Sequence, residues 1–189
     1  SPFSFCPTCE AQRVNYPQHG SSLAAAVEGN AIWQVSANGL LKRDLNGNLL
    51  EEHIFDRFAT GSSRYYFGAT TDMTIDAAGN KWIALGQTNS SYQALVRFDG
   101  SDWTIFPRTD IVGSPGSYIY NIEATPDGKV YADNYKELLQ FDGTAWSIVP
   151  NNPVPSGTTR DMATSSTGEV AIAYDRYVLT YSPTAGWNI

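Results

Sequence analysis

Positive charge is scarce in this chain: 12 Lys and Arg stand against 19 Asp and Glu, a net charge of −7. Nucleic-acid binding relies on Lys and Arg neutralising phosphates, so no nucleic-acid partner is expected, and an anionic membrane surface is equally disfavoured. Long apolar runs are missing as well. No stretch of 18 apolar residues occurs, so no helical membrane insertion is expected. The chain opens at Ser1 with neither an initiator Met nor a cleavable apolar segment, as a processed or engineered start would. Histidine is limited to His19 and His53, which leaves no serine with an evident activating base. Cysteine is limited to Cys6 and Cys9, in Cys6-Pro7-Thr8-Cys9. A thioredoxin-type pair needs a βαβ setting that does not follow, and a zinc site needs four ligands where only the two histidines remain as candidates. A small local disulfide in an oxidising compartment is the favoured reading, with free thiols the alternative.

What the chain has in quantity is glycine, aromatic residues and repetition. Short polar turns recur at Gly29, Gly79, Gly128 and Gly168, spaced 50, 49 and 40 residues apart. Each is followed by a β-rich run, a second turn and another β-rich run. The clearest copy runs from Asp76-Ala77-Ala78-Gly79-Asn80-Lys81-Trp82-Ile83 to Phe98-Asp99-Gly100-Ser101-Asp102-Trp103-Thr104-Ile105-Phe106. Such a period marks a stacked or radial array. The second unit reads as strands over 72–76, 81–85, 94–98 and 102–106, joined by Ala78-Gly79-Asn80 and Asp99-Gly100 turns that supply positive φ. Only Ser22–Glu28, rich in alanine, has a helical look, and it falls where the first inner strand belongs.

Four-stranded antiparallel units that are apolar on both faces bury themselves by packing radially. The expectation is therefore an all-β fold, a β-propeller of four four-stranded blades, with part of a larger propeller as the alternative. The blades are expected over 22–55, 70–107, 119–150 and 160–189, after an extended N-terminal arm over 1–21. Trp33, Trp82, Trp103, Trp146 and Trp187 recur at fixed blade positions, which favours packing between blades over a carbohydrate platform.

Ile75-Asp76-Ala77-Ala78-Gly79-Asn80-Lys81-Trp82-Ile83 and Phe98-Asp99-Gly100-Ser101-Asp102-Trp103-Thr104 resemble the repeats of two-component regulator propellers, a family reading broadly D-x-x-G-N-x-W-I-G-T … R-F-D-G-x-x-W-T. The third unit keeps Val130-Tyr131 where the family has Trp-Ile. The first and fourth units keep little beyond their glycines and one tryptophan each. The resemblance implies recognition or scaffolding outside the cytoplasm, in a secreted, surface or periplasmic setting of the Bacteroidetes type. It carries no catalytic residues.

Counting seven residues back from each turn glycine lands on Ser22, Asp72, Asn121 and Asp161. In equivalent blades these would ring one mouth of the channel, an oxygen-rich set suited to calcium or sodium, although each side chain capping its own strand or binding water is the favoured alternative. The loops of that face gather Arg64, Tyr65, Tyr66, Tyr92, Arg108, Tyr118, Tyr135, Arg160 and Arg176, residue types that anchor protein interfaces and stack on sugars. The functional expectation is a non-enzymatic module binding a protein partner or copies of itself. A glycan-binding module and a polysaccharide hydrolase or lyase using Asp72 and Asp161 are the alternatives.

Overall fold

The computed structural model describes residues 22–37, 39–54, 58–60, 63–65, 67, 70–85, 94–111, 119–134, 137–153 and 159–188. The expected arm and Cys6 and Cys9 lie outside them. No α-helix occurs among the described residues. Four antiparallel sheets each contain four strands consecutive in the chain. Blade 1 comprises β1 (Ser22–Glu28), β2 (Ala31–Ser36), β3 (Gly39–Asp44) and β4 (Leu49–Ile54). A hairpin of β5 (Phe58–Thr60) and β6 (Ser63–Tyr65) precedes blade 2. Blade 2 comprises β7 (Thr70–Ile75), β8 (Lys81–Leu85), β9 (Ala94–Phe98) and β10 (Trp103–Pro107). Blade 3 has β11 (Ile122–Ala124), β12 (Val130–Asp133), β13 (Leu138–Phe141) and β14 (Trp146–Ile148). Blade 4 has β15 (Thr159–Thr164), β16 (Val170–Tyr174), β17 (Val178–Ser182) and β18 (Gly186–Asn188). Alanine-rich Ser22–Glu28 is a strand because Ala24 and Ala26 pack into the core against blade 2, a tertiary demand that overrides its helix propensity.

The core lies between blades rather than within any one of them. Trp33, Val35 and Leu40 pack on Met73, Ile83, Val96 and Phe98. Trp82, Ala84 and Leu95 pack on Ile122, Val130, Leu139 and Phe141, and Tyr131 and Leu138 pack on Met162, Val170, Ile172 and Leu179. Each middle sheet is therefore buried on both faces, which explains the runs of consecutive buried residues in β8 and β12. Inner strands pack in the order β1, β7, β11, β15, and among the described residues no comparable contact returns from β15 to β1.

The turn chemistry follows from one aspartate. In the β7–β8 turn, Asp76 Oδ1 accepts the Ala78 and Asn80 amides, and Oδ2 accepts the Asn80 side chain and the Trp82 indole N–H at 2.8 Å. Gly79 supplies φ +83°. The same D-x-x-G-N device closes β3–β4 with Asp44 and Asn48. Asp99 and Asp142 hold their turns by accepting two amides each.

Candidate functional site: the inner strands and the loop face

Inner strands carry an open backbone edge, and here neighbouring blades close it with side chains. Asp72 Oδ2 accepts the Ile122 amide at 2.9 Å while Oδ1 accepts its own neighbour Met73 at 2.8 Å. Thr74 Oγ1 accepts the Ala124 amide, Thr164 Oγ1 donates to the Ala124 carbonyl, and Thr71 Oγ1 donates to the Ile119 carbonyl. The edge of β11 is thus paired to blade 2 on one side and blade 4 on the other, with no continuous sheet between them. Buried backbone groups need partners, and these side chains supply them.

The ring expected from glycine counting does not assemble as four equivalents. Asp72 and Asp161 do match: each sits at a register shift in its inner strand, and each caps the following amide. Ser22 does not match. The β1–β2 hairpin closes tightly with Glu28 opposite Ala31, whereas Ile75 faces Lys81, Ala124 faces Val130 and Thr164 faces Val170. Counting by strand pairing rather than from Gly29 makes Ala24 the residue equivalent to Asp72, since Ala24 faces Val35 as Asp72 faces Ala84. Asn121 is equivalent in position, but its amide donates to Asp133 Oδ2 at 2.5 Å. Among the described residues, no three His, Cys, Asp or Glu side chains come close enough to hold a metal ion.

The residue that sequence reasoning passed over is Glu123, in the middle of β11. Burial pushes its carboxyl up to about 7, and the charges of Asp72 and Asp161 push in the same direction against a hydrogen bond from Thr74. Burial also raises Asp72, opposed by the Ile122 and Met73 amides and reinforced by Asp161. The Glu123 carboxyl therefore senses the charges of both neighbouring inner strands, and Asp72 senses that of Asp161. The available signal was an acid flanked by Ile122 and Ala124 in the run just before the Asp127-Gly128 turn, where the repeat places the first strand of the third unit.

At the blade 1–2 seam, Lys81 is buried and paired with Glu28. Its Nζ donates to Glu28 Oε1 at 3.0 Å and to the Gly79 carbonyl at 2.6 Å, and lies 4.3 Å from the centre of the Trp33 ring. Trp33 Nε1 in turn donates to Glu28 Oε2 at 2.7 Å. Burial alone would raise the Glu28 carboxyl, but the Trp33 and Lys81 hydrogen bonds outweigh it and hold it below the ordinary range. His53 is peripheral, its ring 4.5 Å from that of Phe98.

On the loop face, Arg160 Nε donates to Asp175 Oδ1 at 2.5 Å, Arg176 is exposed, and the rings of Tyr174 and Tyr177 stack 5.2 Å apart. Arg108 lies in a short 3-10 turn after β10, half-buried. Arg64 and Tyr65 fall in β6, but their side chains, like Tyr66, Tyr92, Tyr118 and Tyr135, lie outside the described residues. Phe67, next in the aromatic run, points inward and packs edge-on to Trp103.

Compared with known protein families and with curated proteins, the chain matches none. Solved structures do match. A streptogramin B lyase is 14% identical with a TM-score of 0.67, over 93% of this chain and 55% of the other. YCF48 bound to D1 peptide is 14% identical with a TM-score of 0.62, over 93% and 55%. The extracellular domain of a hybrid two-component system protein from B. thetaiotaomicron is 15% identical with a TM-score of 0.61, over 86% and 22%. The fold is a β-propeller. The likeness is one of fold, and the propeller here spans about half the length of the lyase and of YCF48, and about a fifth of the B. thetaiotaomicron domain. The expected four-stranded blades agree with this assignment, and so does the resemblance to two-component regulator propellers.

Proposed function

We propose that this propeller is a non-catalytic recognition module that works outside the cytoplasm and binds a protein partner through its loop face. The observation that carries the reading is how the two kinds of polar group are used. Asp72, the acid that a hydrolytic mechanism would need, already has both oxygens engaged by backbone amides, its own neighbour Met73 and Ile122 of the next blade. By contrast, exposed Arg176 and the exposed Arg160–Asp175 pair lie at the same end of blade 4 as half-buried Tyr177, whose ring stacks on that of buried Tyr174. Loops displayed by a rigid fold are where binding residues concentrate, and Arg with Tyr anchors interfaces. Similar folds lend support in both directions: one is described bound to a peptide, and another belongs to an extracellular domain.

The experiment is selection from a displayed peptide library on the intact chain, followed by titration of the selected peptides. The expected result is binding that Arg176→Ala and Tyr177→Ala each weaken at least several-fold. Peptides that bind both variants as well as the unaltered chain would overturn the assignment of this face. Carbohydrate binding is the second reading, favoured by the Tyr174–Tyr177 stack beside hydrogen-bonding groups. A glycan array that scores positive and loses its signal with Tyr177→Ala would put it first.

A further inference from the structure

The amide cap that joins blade 2 to blade 3 is present in halves at the two ends of the array. At one register of the inner strands an aspartate takes the backbone amide that points away from the blade. Asp72 caps Met73, and Asp161 caps Met162. Ile122 has no aspartate before it, and the second oxygen of Asp72 caps it from the preceding blade. Ala25 holds this register in blade 1, because it faces Gln34 as Met73 faces Ile83 and Ile122 faces Ala132. Amides alternate along an antiparallel strand, so that of Ala25 faces the open edge. It follows Ala24, and among the described residues no carboxylate reaches it.

Asp161 is the other half. It sits at a register shift as Asp72 does, its Oδ1 caps Met162, and among the described residues its Oδ2 has no partner. Asp72 is half-buried against blade 3, whereas Asp161 is exposed.

The surfaces beside these two groups also match. Ala25 and Val27 correspond to Ile122 and Ala124, which pack on Trp82 and Ala84 of the preceding blade. On the free face of blade 4 the places of Trp82 and Ala84 are held by Ala171 and Ala173. Valine in place of alanine on one side is thus offset by alanine in place of tryptophan on the other. Val27 is 66% exposed, and Val178, paired with Ala173, is 54% exposed. Further out on the blade 1 face Leu41 and Arg43 are buried while Leu49 and Ile54 are exposed, so its free apolar surface runs along β1 and β4.

We propose that blade 4 of one copy docks on blade 1 of a second copy, with Asp161 accepting the Ala25 amide across the seam. Two copies of four blades then close a ring of eight about a two-fold axis along the propeller channel. A second copy is the fitting occupant because each end carries what the other end lacks. The chain spans 55% of the lyase and of YCF48, so two copies carry a little more than the length of one such propeller. These seams are separate from the loop face, and either assignment can fail without the other.

The test is the mass of the intact chain in solution, measured by light scattering over a concentration series. The expected result is a species of twice the 20.7 kDa chain mass. Val27→Glu alters only the blade 1 surface and sets a carboxylate against the incoming Asp161. Ala163→Glu alters only the blade 4 surface, and both positions are exposed. Each variant alone should be monomeric. Val27→Lys serves in its place should Val27→Glu fold poorly by circular dichroism. Asp161→Ala leaves both apolar surfaces in place and should weaken association at least about tenfold, the value of one hydrogen bond to a charged group. A monomer at the highest concentration the chain tolerates overturns the proposal. So does a dimer that survives either surface variant, because like blades would then be paired, and so do species that grow beyond two copies.

Discussion

Replacing Glu123 with Gln tests the interior electrostatics most directly. Glu123 sits on β11 with its carboxyl raised from the ordinary 4.5 to about 7 by burial and by Asp72 and Asp161. A folded-state value above the unfolded one means that the folded chain holds the proton more tightly. The associated stability is complete below 4.5 and is lost as pH rises through about 7. The full displacement corresponds to at most about 3 kcal/mol. Water reaches part of the side chain, and screening reduces this to about 1–2 kcal/mol. For a chain of this size that is roughly 3–7 °C in Tm. Glutamine imitates the protonated acid and can keep the Thr74 hydrogen bond. The unaltered chain and Glu123→Gln should therefore melt together near pH 5, while the variant melts higher at pH 8. The comparison between the two removes the contribution of every other titrating group. Thermal unfolding followed by circular dichroism at half-unit pH steps gives the answer. Parallel melting profiles, with no widening between pH 5 and pH 8, would refute the raised Glu123 carboxyl.

Thr74→Val removes the acceptor for the Ala124 amide and the partner of Glu123 together, and should cost about 1–3 kcal/mol in urea unfolding, the penalty for a buried group left unsatisfied. Lys81→Met keeps the volume at the blade 1–2 seam but leaves Glu28 without its cation. A loss of about 1–2 kcal/mol at pH 7 is expected, discounted for the partial exposure of Glu28, and shrinking as pH falls through the lowered Glu28 value. Gly39→Ala should destabilise by about 2–3 kcal/mol, because a Cβ there would lie 2.2 Å from the His53 carbonyl oxygen at a φ of +153°. A denaturant midpoint unchanged from the parent would contradict that close approach. Asp76→Ala takes the acceptor from two amides, one side-chain amide and the Trp82 indole. Hydrogen exchange at Ala78 and Asn80 should accelerate at least tenfold, one factor of ten being about 1.4 kcal/mol.

Much of this architecture was open to reading from residue order. Asp–Gly and Gly–Asn turns, β-branched alternation and tryptophans at fixed offsets act over a few residues, and strand limits such as 81–85 and 94–98 follow from that local chemistry. What lay beyond reach depended on comparing one blade with another in space. A turn shortened in blade 1 moved the equivalent of Asp72 from Ser22 to Ala24, and counting along the chain has no means of registering the slip. The partnership of Asp72 with the Ile122 amide joins residues 50 apart, and the shift of Glu123 needs charges from two other strands. Local backbone preferences are written in neighbouring residues and so belong to the sequence. Edge satisfaction and charge coupling arise only when distant segments share a dry interior, and only the folded arrangement decides them.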